Sequence, residues 1–533
     1  QMVSYFEHLA NASDWISFHQ YGETNERRSL NYAIITTPEN QARLEEIRQN
    51  NLRQIGMLPG DSSPDVAIVW LSYNVHGNEA SSMEAAMQTA YELINGSSPW
   101  LKNTVVIMDP CVNPDGRDRY ANWYNQVGTS PYNPLQAADE HNEPWPGGRP
   151  NHYLFDLNRD WAWAKQVESQ QRLPLYHKWM PHVHVDFHEQ GINEPYYFAP
   201  AAVPYHEVIT PWQKQFQVEI GQNNAKYFDQ EGWLYFTRQF FDLLYPSYGD
   251  TYPTYLGAIG MTYEQAGNGR AGLGILNDEG VELTLVDRAA HHTTTGLSTV
   301  EISSKNALKL NKEFKSYFRT PQPLQNYILQ GNSDKIQALT QLLDRHEIQY
   351  SFAQSTVVKG WDYSTQKNTQ RNVADALVLS TDQPQGAMVR VLFEAEAALE
   401  DPLTYDITAW SLPYAFGLNC LVTDKPLETS QNNPYNGRFQ LPAEPEVVAG
   451  FIAPWGDLAD ATFLTDLLKK GLRVRFSEKP LSFGGKQFPR GSLVITKGDN
   501  IKRKDFNPLI RKLASTHQRQ ITALSSGFSD NGV

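Results

Sequence analysis

The sequence predicts an α/β protein whose first 319 residues wind helices around a mostly parallel, doubly wound sheet. Three observations predict it. Mostly apolar runs at 66–75 and 104–109 are short enough for buried strands and stop at polar turn residues. Segments with helical spacing alternate with them, as βαβ units require. The residues with chemical potential stand just after those runs, where an open α/β sheet carries its working groups.

Each element follows in order. VAIVWLSYNV at 66–75 reads as a strand that runs into His76-Gly-Asn-Glu79. SMEAAMQTAYELIN at 82–95 has helical spacing, with Asn95-Gly96 as its stop signal. TVVIMD at 104–109 is a second buried strand, and Asn113-Pro-Asp-Gly116 after it reads as a turn. From 117 to 155 the chain is rich in Pro, Asn, Gly and aromatics, which predicts a long ordered loop of the kind that carries function. HVHVDFH at 182–188 alternates, so His182, His184, Asp186 and His188 share one strand face. An amphipathic helix over 210–229, a strand over 256–263 and one or two long helices over 280–317 complete this part.

At 533 residues the chain is too long for one ordinary core. The composition changes at Arg319-Thr-Pro-Gln-Pro-Leu, which divides it into 1–319 and a smaller α/β accessory region, 320–533, of one or two subdomains. Short units at 325–330, 333–345, 376–380, 458–471 and 492–496 make up that region, and none carries clustered titratable residues. The turn-rich stretch Ser525-Ser-Gly-Phe-Ser-Asp-Asn-Gly532 closes it.

A hydrophobic fraction of 40% and a charged fraction of 20% suit a folded protein. The formal charge is −14 with no Lys/Arg-rich block, so nucleic acid and anionic membrane are poor partners. No run of about 18 uncharged apolar residues predicts a membrane span. Two cysteines, Cys111 and Cys420, are too few for a disulfide framework or a cysteine zinc site, which leaves His and carboxylates as metal ligands. The chain opens at Gln1, so a mature secreted or periplasmic form is expected. Oligomeric state leaves no mark on the sequence.

A hydrolytic zinc site needs three protein ligands and an open position for water. His76 and Glu79 can converge on one ion if the loop turns there, but a lone His-x-x-Glu recurs by chance. The order of motifs is more specific: His76-Gly-Asn-Glu79, Asn113-Pro-Asp-Gly116, Asp156-Leu-Asn-Arg159-Asp-Trp161, His188, Thr262-Tyr-Glu264. In this order the chain resembles the zinc carboxypeptidase family of pancreatic carboxypeptidases A and B, and more closely a bacterial branch whose strand ends in Asp-Phe-His-Glu. The resemblance spans roughly residues 5–317.

It implies a mixed, doubly wound sheet, one zinc ion held by His76, Glu79 and His188, and Asp156 as the carboxylate that fixes the first histidine. It implies Asn158 and Arg159 as the clamp on a substrate's terminal carboxylate, and Glu264 as general base and acid. Asp250 matches an aspartate that the family keeps fourteen residues before its catalytic glutamate. Two correspondences fail. Where the family carries the arginine that polarises the scissile carbonyl, this chain reads Trp123-Tyr-Asn-Gln126, which leaves Arg117 or Arg119 for that role. The family's mobile tyrosine is displaced, with Tyr245 and Tyr248 as candidates.

Plainer readings compete at several positions. Strand residues four apart lie about 13 Å apart, too far for His184 and His188 to chelate one ion. His182 and His184 are therefore expected as buried or supporting residues, Asp186 as supporting or merely satisfied, and Glu189 as structural. Glu264 could form a salt bridge with Arg270, and His291-His292 reads as packing. The implied function is a zinc metallocarboxypeptidase acting on a peptide or protein C-terminus. Its rivals are a cell-wall peptide carboxypeptidase, an N-acyl amino-acid deacylase and a non-catalytic binding protein.

Overall fold

A computed structural model describes every residue except 96, 97, 400, 408, 436–438, 440 and 531–533. Gly96 of the expected helix stop and Asn531-Gly532 of the terminal turn lie outside the described residues.

Ten strands precede residue 267: β1 Ile16–Glu23, β2 Ser29–Ile35, β3 Ala67–Tyr73, β4 Thr104–Asp109, β5 Val183–Gln190, β6 Tyr196–Tyr197, β7 Ala202–Tyr205, β8 Tyr235–Phe236, β9 Asp242–Leu243 and β10 Ile259–Ala266. Eight of them form one sheet in the order β1-β2-β4-β3-β5-β10-β6-β8. β4, β3, β5 and β10 pair in parallel, and β1–β2, β2–β4 and β10–β6 pair antiparallel, so the sheet is mixed as the resemblance implies. The side-chain period of two decides which layer each residue enters. Ala67, Val69, Leu71 and Tyr73 of β3 pack into one apolar cluster, with Val183, Val185 and Phe187 of β5. Ile68 and Trp70 enter the cluster on the opposite face.

The flanking helices show why they start where they do. Thr210 and Gln213 form a reciprocal capping box ahead of helix Pro211–Glu231, which ends at left-handed Gly232. Thr284 and Asp287 do the same for helix Leu285–Lys305, and helix Ala307–Arg319 follows it. The structure corrects one expectation here. Asn113-Pro-Asp-Gly116 is a helix start: the Asn113 side chain accepts from Gly116 N, Pro114 takes the first helical position, and the helix runs to Val127. The irregular loop is therefore 128–156, broken only by the short turn Asp139–His141.

Beyond Arg319 the described residues build the small hairpin Leu481–Phe483 with Lys486–Phe488 and two larger sheets. One has seven strands, among them Asn326–Gln330, Thr356–Asp362, Ala376–Ser380 and Asn419–Thr423, and all its pairs are antiparallel. The other has four antiparallel strands around Gly450–Ala453 and Leu493–Thr496. The region mixes helices and strands as expected, and it is richer in strands because the polar hairpin Thr356–Val373 adds two with no apolar run to announce them.

No seam of solvent separates the first two sheets. One apolar cluster holds Trp161, Tyr176 and Tyr252 together with Tyr327, Leu339, Leu343 and Phe393. A buried hydrogen-bond chain crosses the same boundary. His346 Nε2 donates to the Ala162 carbonyl at 2.8 Å, so its Nδ1 accepts from the Tyr252 hydroxyl at 2.7 Å, and that hydroxyl receives His177 Nε2 at 3.1 Å. Burial lowers His346 to about 4 and His177 to about 3, which keeps both rings neutral. Cys111 and Cys420 are buried and unpaired. Among the described residues, no helix is long and apolar enough to cross a membrane.

Candidate metal centre and cleft

The loop between β3 and helix Ala80–Asn95 is held by its own side chains. Asn74, at positive φ of 55°, donates through Nδ2 to the carbonyls of His76 (2.9 Å) and Glu79 (3.1 Å). Ser82 Oγ accepts from Asn74 N and donates to the Glu79 carbonyl. That folding turns His76 and Glu79 toward each other, and β5 delivers His188 from the next strand.

The three side chains meet. His76 Nδ1 and Glu79 Oε1 are 2.8 Å apart, His188 Nδ1 and Glu79 Oε2 are 3.2 Å apart, and the two Nδ1 atoms are 3.2 Å apart. Donor atoms around a tetrahedral zinc ion, at bond lengths of about 2.0–2.1 Å, lie about 3.3 Å from one another. The trio therefore has the dimensions of a zinc face, and it is the buried one of two metal-capable groupings among the described residues.

Carboxylates hold the outer nitrogens. His76 Nε2 pairs with Asp156 Oδ1 at 2.9 Å. Asp186 Oδ1 pairs with His184 Nε2 at 2.8 Å, and its Oδ2 faces His188 Nε2 at 3.6 Å. Such partners fix ring orientation and raise ligand basicity. Burial opposes every charge here, yet the imidazoles hold Glu79, Asp156 and Asp186 well below the usual carboxylate range. His188 stays well above its ordinary value, because Asp186 and Glu79 outweigh its burial. A metal ion held between the same groups would compete with a proton for them.

The remaining expected residues fall into three groups. Glu264 and Asp250 line the same cleft of about 490 Å³ as the trio, together with Asn158, Arg159 and Tyr248. Parallel pairing of β10 with β5 sets Glu264 opposite His188, so both leave one face of the sheet. Burial pushes Glu264 up to about 8 and Asp250 up to about 7. Asn158 Nδ2 lies 3.4 Å from His188 Nε2, while its Oδ1 accepts from Gly249 N at 2.8 Å.

The second group supports the site without entering it. His182 accepts from Ile68 N and bonds Asn311, and Glu189 takes Ser81 N, Ser81 Oγ and Arg288. Tyr245 is buried, with its hydroxyl accepting from Trp163 Nε1. His292 is buried against Tyr196 and Phe187.

The third group is turned away. Arg117 donates to Glu84, and Arg119 donates to the carbonyls of Gly147 and Asn151, so neither arginine expected to polarise the carbonyl reaches the cleft. Arg149 does. Its Nη1 donates to Glu79 Oε1 at 3.2 Å and its Nη2 to Asp156 Oδ2 at 2.9 Å, and its side chain keeps 40% exposure at the cleft wall. Arg119 serves it indirectly by tying down the loop on both sides of it. Sequence reasoning also missed Asp242 and Tyr405, which line the cleft, and Asp406, which accepts from Arg159. The run Gly147-Gly-Arg-Pro150 inside a long polar loop was the one available signal for Arg149.

A family model described as zinc carboxypeptidase matches residues 2–181. Among solved structures, a metallo-carboxypeptidase from Burkholderia cenocepacia is similar at 14% identity and a TM-score of 0.40, over 57% of this chain and 69% of that one. A carboxypeptidase A from Helicoverpa armigera is similar at 15% identity and a TM-score of 0.37, over 60% and 73%. Thrombin activatable fibrinolysis inhibitor is similar at 12% identity and a TM-score of 0.38, over 58% and 76%. No curated protein matches the chain.

Proposed function

We propose that this chain is a metallocarboxypeptidase that uses Glu264 as its proton carrier, a reading supported by the zinc carboxypeptidase model that matches residues 2–181. The observation that carries this reading is one cleft in which His76, Glu79 and His188 converge beside a buried Glu264. Both His188 and Glu264 lie beyond the matched residues, so their arrival there is independent support.

His76, Glu79 and His188 would hold one zinc ion, which supplies Lewis-acid activation of water and of the scissile carbonyl. Glu264 takes a proton from the attacking water, whose oxygen bonds to the carbonyl carbon. The C–N bond then breaks, and Glu264 returns the proton to the departing amine. Arg149, with a guanidinium edge on the cleft, stands where it can donate to the carbonyl oxygen as negative charge develops. Arg159 and Asn158 would receive the terminal carboxylate of the substrate, since a guanidinium matches its planar geometry.

The test is release of C-terminal residues from a peptide panel by the protein as purified, after chelation, and after zinc is returned. Loss on chelation with recovery on zinc is the expected result. Activity that ignores the chelator, or no terminal release from any peptide by the zinc-loaded protein, overturns the reading.

A further inference from the structure

The charged end of the cleft holds a carboxylate that this chemistry does not use. Asp406 lies 247 residues from Arg159 along the chain, in the accessory part of the molecule. Its Oδ2 accepts from Arg159 Nη2 at 3.0 Å and from Arg159 Nε at 3.3 Å. The Tyr248 hydroxyl donates to the same oxygen at 3.0 Å, and the Arg159 guanidinium lies over the Tyr248 ring at 4.5 Å. A carboxylate of the protein itself is thus seated on the guanidinium edge that offers two parallel N–H groups. The Nη1 side of Arg159 is already directed to the Asn158 carbonyl at 3.1 Å.

The segment that brings Asp406 there is lightly held. Tyr405 N donates to Asp242 Oδ2 at 2.7 Å, and the Tyr405 ring meets Phe241 and Tyr248 at centroid distances of 5.4 and 6.2 Å. Residues 401–407 form no helix or strand, and Leu403 is 79% exposed. The Asp406 side chain keeps 40% exposure and the Arg159 side chain 26%. An ion pair this wet adds little to stability. Its effect falls on whatever else would use Arg159.

We propose that Asp406 is a specificity-determining residue: it occupies the clamp where a free terminal carboxylate would sit, so that carboxylate is held only when segment 401–407 gives up Arg159. This rests on the clamp assignment made for the function above. A chain end without a carboxylate meets no such competition. The accessory region therefore narrows the enzyme's preference for free-acid ends over blocked ones, and it does so through a single side chain.

The test compares a small carboxylate with its amide, N-acetylalanine and N-acetylalaninamide, titrated calorimetrically into the zinc-loaded protein. Parent, Asp406→Asn, Arg159→Ala and the double variant are measured side by side, with melting temperature and zinc content confirming the fold. Asp406→Asn should raise the acid-to-amide affinity ratio on the order of tenfold, the size of one charge-assisted contact discounted for exposure. The double variant should lose that gain. An unchanged ratio, or equal tightening of both ligands, overturns the proposal, because then Asp406 is only a fastener or a general gate. An Arg159→Ala protein that binds the acid as the parent does removes the clamp itself, and that outcome is recognisable because it is independent of Asp406.

Discussion

Arg149 reaches the centre through two hydrogen bonds, one to Glu79 and one to Asp156, the carboxylate behind His76. If its task is the developing oxyanion, Arg149→Ala should lower kcat/KM by about 10²–10³ while zinc content stays at the parental level. Steady-state kinetics with elemental analysis check this, and a loss of zinc in proportion to activity would make the residue a fastener of the ligands instead. Much at this scale was legible in the sequence. His76, Glu79 and His188 stand at strand ends, where topology allows few directions, and alternation along β5 put His182, His184, Asp186 and His188 on one face. Arg149 was not legible, because an irregular loop has no period to say where a side chain points. Asp406 was not legible either, since nothing local marks a contact made 247 residues away.

The motifs His76-Gly-Asn-Glu79 and Asn113-Pro-Asp-Gly116 touch backbone to backbone. A Cβ on Gly77 would lie 2.1 Å from both Arg117 N and the Gly116 carbonyl carbon. Neither neighbour is a flexible side chain, so Gly77→Ala should push the His76–Glu79 loop off the start of helix Pro114–Val127. Denaturation should show a loss of roughly 1–3 kcal/mol, accompanied by weaker zinc binding. A variant with parental stability and zinc affinity would refute this account of the loop. The apolar runs at 66–75, 104–109 and 182–188 placed β3, β4 and β5 within two residues, whereas the strand expected over 256–263 lies three residues later, at Ile259–Ala266, and β1 and β2 were not foreseen. It read Asn113-Pro-Asp-Gly116 as a turn because a helix N-cap followed by Pro uses the same residues as a turn does.

β4 ends on Asp109, wholly buried, where burial pushes its carboxyl up to about 7 against opposing help from Arg172 and Tyr21. A folded-state value above the unfolded one favours folding fully below about pH 4, and that contribution fades as pH rises toward 7. Asp109→Asn cannot titrate. Its melting temperature relative to the parent should therefore rise between pH 4 and pH 7.5, and a constant difference across that range would contradict the assignment.

At the scale of the whole molecule, the first two sheets share one apolar cluster and the chain His177–Tyr252–His346–Ala162. Cutting that chain with His346→Ala leaves the Ala162 carbonyl and one Tyr252 partner unsatisfied in the interior. The expected cost is roughly 2–4 kcal/mol, seen in calorimetry as a shift of a transition common to both sheets. Movement of one transition while a second stays fixed would show that the two regions melt apart. The polar hairpin Thr356–Val373 and the antiparallel sheets escaped the sequence because their strands are short or solvated on one side, which weakens any hydrophobic signal. The same region nevertheless reaches the cleft, where Tyr405 lines the wall and Asp406 bonds Arg159.

On the proposed function, one buried glutamate, Glu264, would move the proton beside a metal held by His76, Glu79 and His188. The most direct measurement is zinc content and peptide turnover of Glu264→Gln beside the parent. The amide cannot accept a proton, so zinc should remain at the parental ratio while turnover falls by several orders of magnitude. A Glu264→Gln protein that carries zinc and still cleaves near the parental rate would contradict the account.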